Sequence, residues 1–206
     1  MITIIDLNIG NIGSVDNMIK HVGGNCIVSS DPTDIKNASK LILPGVGSFD
    51  KAMNQLRYKK LEQIILEKVK VEKTPLLGIC LGMQLITNSS EEGKEKGLGL
   101  INAETLSFKK AFDKKEINER IPHMGWNDIR VEQENCLTKN LIKSSRFYFV
   151  HSYYVKCSNK ENRLMTSNHG FDFDSAIVKD NVYGVQFHPE KSHKYGKKLI
   201  TNFIKI

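Results

Sequence analysis

Cys80 stands in Gly78-Ile79-Cys80-Leu81-Gly82, where an apolar run ends and a helical pattern carried by Leu81, Leu85 and Ile86 begins. A cysteine with glycine two residues to either side is the layout of a nucleophile elbow. Such an elbow is a sharp strand-to-helix turn that lifts a reactive side chain above the end of a sheet. The glycines are required because the turn crowds backbone against backbone, where a Cβ would clash. At a helix N-terminus the dipole and the free N–H groups favour a thiolate, the nucleophilic form of cysteine. The same pattern also fits a buried structural cysteine beside a tight turn, because cysteine is among the most buried residue types. Other segments have to separate the two readings.

A cysteine nucleophile needs a base that takes its proton and later returns one to the leaving group. That base needs a third group to fix its tautomer and orientation. His188-Pro189-Glu190 follows a run of strand-like residues and offers both. His188 supplies the imidazole, Glu190 reaches its far nitrogen, and Pro189 restricts the backbone between them. Pro44-Gly45-Val46-Gly47 closes another apolar run. Alone it is a plain turn. Beside a nucleophile it reads as an oxyanion hole built from Val46 and Gly47, with the N–H of Leu81, the residue after the cysteine, as the other donor. Each such donor is worth roughly 3 kcal/mol to a tetrahedral transition state.

The elements that must position these segments alternate along the N-terminal half. Strand-like runs at 2–6, 26–28, 41–43 and 76–79 are separated by helical spacings. The first helix is read as capped by Ser14 with Val15, Met18, Ile19 and Val22 inward; later ones use Phe49, Ala52, Met53 and Leu56, then Leu61, Ile64, Ile65 and Val69. This alternation predicts β-α-β units and an open, mostly parallel α/β sheet flanked by helices. The three chemical segments then fall at strand carboxyl ends, where ligands bind in such sheets. After about residue 100 short β-like runs dominate, at 106–108, 127–131, 147–150, 175–178 and 182–187, with a hairpin turn at Asp180-Asn181. A last helix points Leu199, Ile200, Phe203 and Ile204 inward. The expectation is therefore a β-rich C-terminal half.

With 206 residues, 40% hydrophobic and 26% charged, the chain has the size and composition of one soluble domain. The short apolar start, without a basic flank, reads as a first strand and not a signal peptide, so a cytoplasmic location is expected. Cys26, Cys80, Cys136 and Cys157 lie far apart and form no C-x-x-C, which points to neither a disulfide framework nor a metal site. The net charge of +7 comes from lysines scattered over helices and loops, with no basic stripe interleaved with aromatics. No nucleic-acid or membrane partner is expected.

With these segments in view, the chain resembles the class I glutamine amidotransferases of the cysteine-histidine-glutamate type. Within that class it is similar to the glutaminase subunits of imidazole glycerol phosphate synthase. The likeness runs along essentially all of residues 1–206, as one amidotransferase domain. It is carried by the elbow, Pro44-Gly45-Val46-Gly47 and His188-Pro189-Glu190, and narrowed by Pro122-His123-Met124-Gly125-Trp126-Asn127 and Phe149-Val150-His151-Ser152-Tyr153.

The resemblance implies hydrolysis of L-glutamine to glutamate and ammonia through a cysteinyl thioester, without cofactor or metal. Cys80 would attack the amide carbonyl, His188 protonate the leaving ammonia and activate water, and Glu190 hold His188. Gly47, Gln84, Glu92, Ser152 and Tyr153 match the positions that hold glutamine. Ammonia would pass to a (β/α)₈-barrel cyclase subunit in a heterodimer, with Asn11, Met124, Trp126, Tyr148 and Lys191 near the interface. The cyclase would make imidazole glycerol phosphate and a carboxamide ribonucleotide, a step of histidine biosynthesis. Family members show little glutaminase activity until the partner docks, and rotation of the Gly45–Val46 peptide is the expected gate. Trp126 is read as lying in a loop segment, and His123 and His151 as structural or interfacial.

Two departures bear on rivals. Most relatives carry Asp-Tyr-Gly near the N-terminus, where this chain has Asp6-Leu7-Asn8-Ile9. Ser192-His193-Lys194-Tyr195-Gly196 is similar to paralogues that supply ammonia for amidino sugars of surface glycans. The rival of another class is a redox-sensing protein of related fold, whose cysteine is oxidised and not acylated.

Overall fold

Short apolar runs separated by amphipathic stretches build a parallel sheet through the N-terminal half. The computed structural model describes residues 1–142 and 144–206. Strands β1 (Ile2–Ile5), β2 (Cys26–Ser29), β3 (Lys40–Gly45) and β4 (Leu76–Cys80) are joined by helices α1 (Ile12–His21), α2 (Pro32–Lys36), α3 (Phe49–Tyr58) and α4 (Leu61–Lys70). They lie side by side in the order β2-β1-β3-β4, every pair parallel. Residues of β1 and β4 are buried throughout, because helices cover both faces. The period-two alternation of the strands sorts their side chains into two cores. Ile2, Ile4, Ile42, Leu77 and Ile79 pack with Val15 and Ile19 of α1. Ile5, Leu41, Leu43 and Leu76 pack with Met53, Leu56, Leu61 and Ile65 of α3 and α4.

The second half adds α5 (Leu81–Leu85), β5 (Ser89–Ser90), β6 (Ala103–Ser107), α6 (Phe108–Lys115), β7 (His123–Asp128), β8 (Arg130–Val131), β9 (Arg146–His151), β10 (Tyr153–Cys157), β11 (Arg163–His169), β12 (Phe171–Lys179), β13 (Val182–Val185) and α7 (His193–Ile204). The large sheet continues from β4 as β13-β12-β10-β6-β5, with β11 and β8 branching from β12. β7 and β9 form a separate antiparallel ribbon. The turn at Asp180-Asn181 joins β12 to β13, and β13 returns parallel to β4. This return brings the C-terminal chemical segment beside the elbow. Among the described residues no helix is long and apolar enough to cross a membrane.

Several boundaries differ from the sequence expectation. Helix α1 begins at Ile12 with Asn11 at its cap position, not at Ser14, and Asn11 makes no side-chain capping bond. Phe108 opens α6 after the capping side chain of Ser107, so the 106–108 run is not a strand to its end. The strand expected at 127–131 begins at His123 and is split from β8. Trp126 therefore lies on an alternating strand, on the exposed face it shares with Met124. β10 and β11 are absent from the sequence expectation; in β11 the polar Thr166, Ser167 and Asn168 break the apolar pattern.

Candidate active site

Cys80 ends β4 with φ 54° and ψ −109°, a conformation that side-chain-bearing residues rarely adopt. Packing on either side holds it there. A Cβ on Gly82 would lie 1.7 Å from the Leu43 carbonyl oxygen, and one on Gly78 would lie 2.5 Å from the Gly82 carbonyl oxygen. Both glycines are thus required by close approach, the first between α5 and β3, the second between β4 and α5. The thiol is 6% exposed and faces a cavity of about 360 Å³, within the usual size range of small-molecule pockets.

The cavity is lined by Val46, Gly47, Cys80, Leu81, Gln84, Glu92, Pro122, Val150, His151, Ser152 and Tyr153. The structure therefore gathers around one space all the residues expected to form the oxyanion hole and to hold glutamine. Val46 is exposed and Gly47 takes φ +98°, a value that favours glycine. The loop is backed by Gly10, where a Cβ would lie 3.5 Å from Gly45 Cα. Glu92 accepts the Phe49 backbone N–H at 2.9 Å. Burial raises its pKa, partly opposed by that N–H and reinforced by Asp50. A cationic group entering the cavity would compensate that desolvation.

His188 and Glu190 sit just past β13. His188 Nδ1 is 2.7 Å from Glu190 Oε1, with both side chains almost fully buried. The backbone of His188 is clamped: its N–H donates to the Tyr148 carbonyl at 2.9 Å, and its carbonyl accepts the Ser192 hydroxyl at 2.6 Å. Burial works against the charged ring, but Cys80 and Glu190 outweigh it and push the His188 pKa up to about 10. Nε2 has no well-aligned hydrogen bond among the described residues, but Cys80 lies close enough to raise the pKa of the ring. A ring whose one nitrogen is held by a carboxylate and whose other is free beside a thiol is arranged to exchange a proton with that thiol.

Gln186, quoted within its motif but given no role by the sequence, has a fully buried side chain between the two halves of the site. Its Oε1 accepts from Gln84 Nε2 at 3.2 Å, which turns its own Nε2 toward Cys80 Sγ at 3.7 Å. A glutamine two residues before the histidine, just past the end of β13, is the available signal. His151, also on the cavity wall, was not expected there.

The residues expected at a partner interface fall outside the cavity. Met124 and Trp126 are exposed, and Trp126 packs edge-on to Tyr148 with ring centroids 6.3 Å apart and stacks on His193 at 5.5 Å. Lys191 Nζ lies 5.7 Å from the Tyr148 ring centroid. These four form one patch. Asn11 is exposed just before α1.

A buried cysteine elbow, a histidine-carboxylate pair and a glycine loop at neighbouring strand ends define an acyl-transfer site of the triad type. The model of the class-I glutamine amidotransferase family matches residues 3–206, and the chain belongs to that family. Its relatives include the protein named imidazole glycerol phosphate synthase subunit HisH 2 of Methanococcus maripaludis, 58% identical with 100% of this chain and 99% of the relative aligned. The HisH 2 subunit of Pseudomonas aeruginosa is 44% identical over the full length of both chains. HisH 1 of M. maripaludis is 43% identical, again over both full lengths. Among solved structures, PurLQS from Thermotoga maritima shares the fold with a TM-score of 0.74 at 17% identity, covering 99% of this chain and 97% of that one.

Proposed function

We propose that the chain is the glutaminase subunit of an imidazole glycerol phosphate synthase. It hydrolyses L-glutamine and passes ammonia to a (β/α)₈-barrel cyclase subunit. The observation that carries the reading is Cys80 and the Val46-Gly47 loop lining one cavity, with the buried His188–Glu190 pair beside the thiol, in a chain 58% identical to a HisH subunit. Glutamine enters with its ammonium group toward Glu92 and its amide carbonyl beside Cys80. His188, whose raised pKa favours the charged ring, holds the proton taken from the thiol, and the sulfur attacks the carbonyl carbon. The oxyanion that forms is received by backbone N–H groups of the 46–47 loop and of Leu81. His188 then gives its proton to the departing ammonia, leaving a glutamyl thioester. Water deprotonated by His188 attacks the thioester and releases glutamate and the thiol. Throughout, Glu190 keeps Nδ1 protonated and the ring oriented, so that Nε2 alone gains and loses the proton.

The exposed patch of Met124, Trp126, Tyr148 and Lys191 is the proposed cyclase-facing surface. An aromatic pair with a neighbouring cation is the composition of a binding hot spot. Rotation of the Gly45–Val46 peptide on docking is the proposed gate, since Gly45 and Gly47 flank it without side chains.

A second reading is favoured by one observation. The chain is closer to the second HisH copy of M. maripaludis than to the first, 58% against 43% identity. A second copy is free to feed another acceptor, such as an amidino sugar, with the same chemistry. The test is incubation with the glutamine-analogue alkylator diazo-oxo-norleucine, followed by complementation of a histidine auxotroph lacking its glutaminase subunit. The expected results are a covalent adduct at Cys80 and growth. An adduct without growth moves the reading to the second acceptor. No adduct, even with the cyclase present, favours the redox sensor and ends the glutaminase reading.

A further inference from the structure

From His151 on the cavity wall a series of hydrogen bonds runs back into the fold, its direction fixed by one carbonyl. His151 Nδ1 lies 2.7 Å from the Tyr153 carbonyl oxygen. A carbonyl only accepts, so Nδ1 carries the proton. Burial above all, then His123, holds His151 neutral by pushing its pKa down to about 3. Its Nε2 therefore bears no hydrogen and must accept. The group facing it is His123 Nδ1 at 2.8 Å, which must in turn be the protonated nitrogen of that ring. His123 is also neutral, pushed down to about 4 by burial and by His169, which stacks on it with centroids 4.4 Å apart. Its Nε2 then accepts from Asn127 Nδ2 at 3.0 Å. The same amide nitrogen donates to the Asn168 carbonyl at 2.7 Å, and Asn127 Oδ1 accepts the Asp128 backbone N–H at 2.8 Å. Only one arrangement of protons satisfies every link.

The setting makes this arrangement unusual. Phe108, Phe149 and Phe173 surround the two imidazoles, and an apolar residue would fill the same space without desolvating a polar ring. The series ends on the cavity. Tyr153 and Ser152 line it, and the Ser152 carbonyl accepts the Phe108 N–H at 3.1 Å. Both carbonyls of this wall are thus held from behind, one by helix α6 and one by the histidine pair.

We propose that His151 and His123 are positioning residues for the substrate: their aligned hydrogen bonds hold the Tyr153 carbonyl, and so fix the Ser152–Tyr153 wall in the placement that accepts glutamine. The inference rests on the glutaminase reading for the identity of the substrate. Cys80, His188 and Glu190 stand on other elements, so the effect falls on binding and not on the chemical step.

The test compares His151→Phe with His151→Asn in the assembled complex. Phenylalanine fills the ring volume without a donor, whereas asparagine places an N–H near the position of Nδ1. The expected result for His151→Phe is a rise of about tenfold in KM for glutamine, the value of one lost buried hydrogen bond, with kcat little changed. His151→Asn should restore most of the loss. Equal KM values for the two variants would overturn the proposal. If His151→Phe does not fold, His123→Phe against His123→Asn cuts the series one link further out and is read in the same way. A second readout needs no turnover: nitrogen-proton correlation spectra of the unmodified full chain at neutral pH should show both rings as neutral Nδ1–H tautomers. An Nε2–H tautomer at either ring would overturn the proposal. An unmodified complex that does not hydrolyse glutamine would sink the glutaminase reading instead, and the tautomers would still decide whether the series of bonds exists.

Discussion

His188 and His151 are both buried near the same cavity, yet one is driven toward charge and the other away from it. Burial lowers the basicity of both, because a low-dielectric surrounding disfavours the charged ring. The difference lies in the partner. His188 faces a carboxylate at 2.7 Å and a thiol, which repay the desolvation and leave it basic. His151 faces a carbonyl and a second imidazole, which accept or donate a hydrogen bond but bring no negative charge. A buried histidine is thus a proton carrier or a fixed strut according to one neighbour. The residue type alone does not decide which.

The most severe way to break the comparison is to make His188 resemble His151. Glu190→Gln keeps a hydrogen-bond acceptor but removes the charge. It should lower kcat for glutamine hydrolysis by about 10³–10⁴-fold, as loss of the orienting carboxylate does in triads. Steady-state glutamate release checks this, and a loss below tenfold would mean that Glu190 is not the orienting group. The next effect separates the two faces of the strand that carries His123. Trp126→Ala alters only the exposed face and should weaken cyclase binding by about 30-fold, a loss near 2 kcal/mol. The Nδ1–H signals of the histidine pair should stay unchanged. Titration calorimetry with the cyclase reads the first and the correlation spectrum the second.

The mildest effect is on stability. His123 and His151 titrate lower in the folded chain than the ordinary value of 6.5. As pH falls from about 6.5 toward 4, the unfolded chain takes up protons that the folded chain refuses, and stability is lost. His188 acts in the opposite sense. Its raised pKa contributes stability that is complete below 6.5 and is lost as pH rises through about 10. Urea melts across this range should show both flanks, and Glu190→Gln should flatten only the alkaline one.

Much of the N-terminal half was legible because its strands are continuous apolar runs and its helices repeat their apolar positions at three and four. The elbow was legible because Gly78 and Gly82 answer a steric demand that can be stated without coordinates. The return of β13 beside β4, on which the pairing of His188 with Cys80 depends, was not readable from local pattern. It entered through resemblance. Trp126 falls on a strand and not a loop because β7 inverts the usual pattern, with polar His123 buried and apolar Met124 and Trp126 exposed. The sequence reads His123 and His151 as structural or interfacial but not as a pair, because their contact spans 28 residues of sequence and a tautomer leaves no trace in spacing.

The order of the chain adds a consequence for synthesis. The thiol of Cys80 is made early, whereas His188 and its carboxylate follow more than a hundred residues later, close to the C-terminus. Between them lie nearly all the strands of the second half, and His188 comes beside Cys80 only when β13 pairs with β4. A nascent chain therefore carries an ordinary cysteine through most of translation. The site is complete only once residues from both halves of the chain are paired in one sheet.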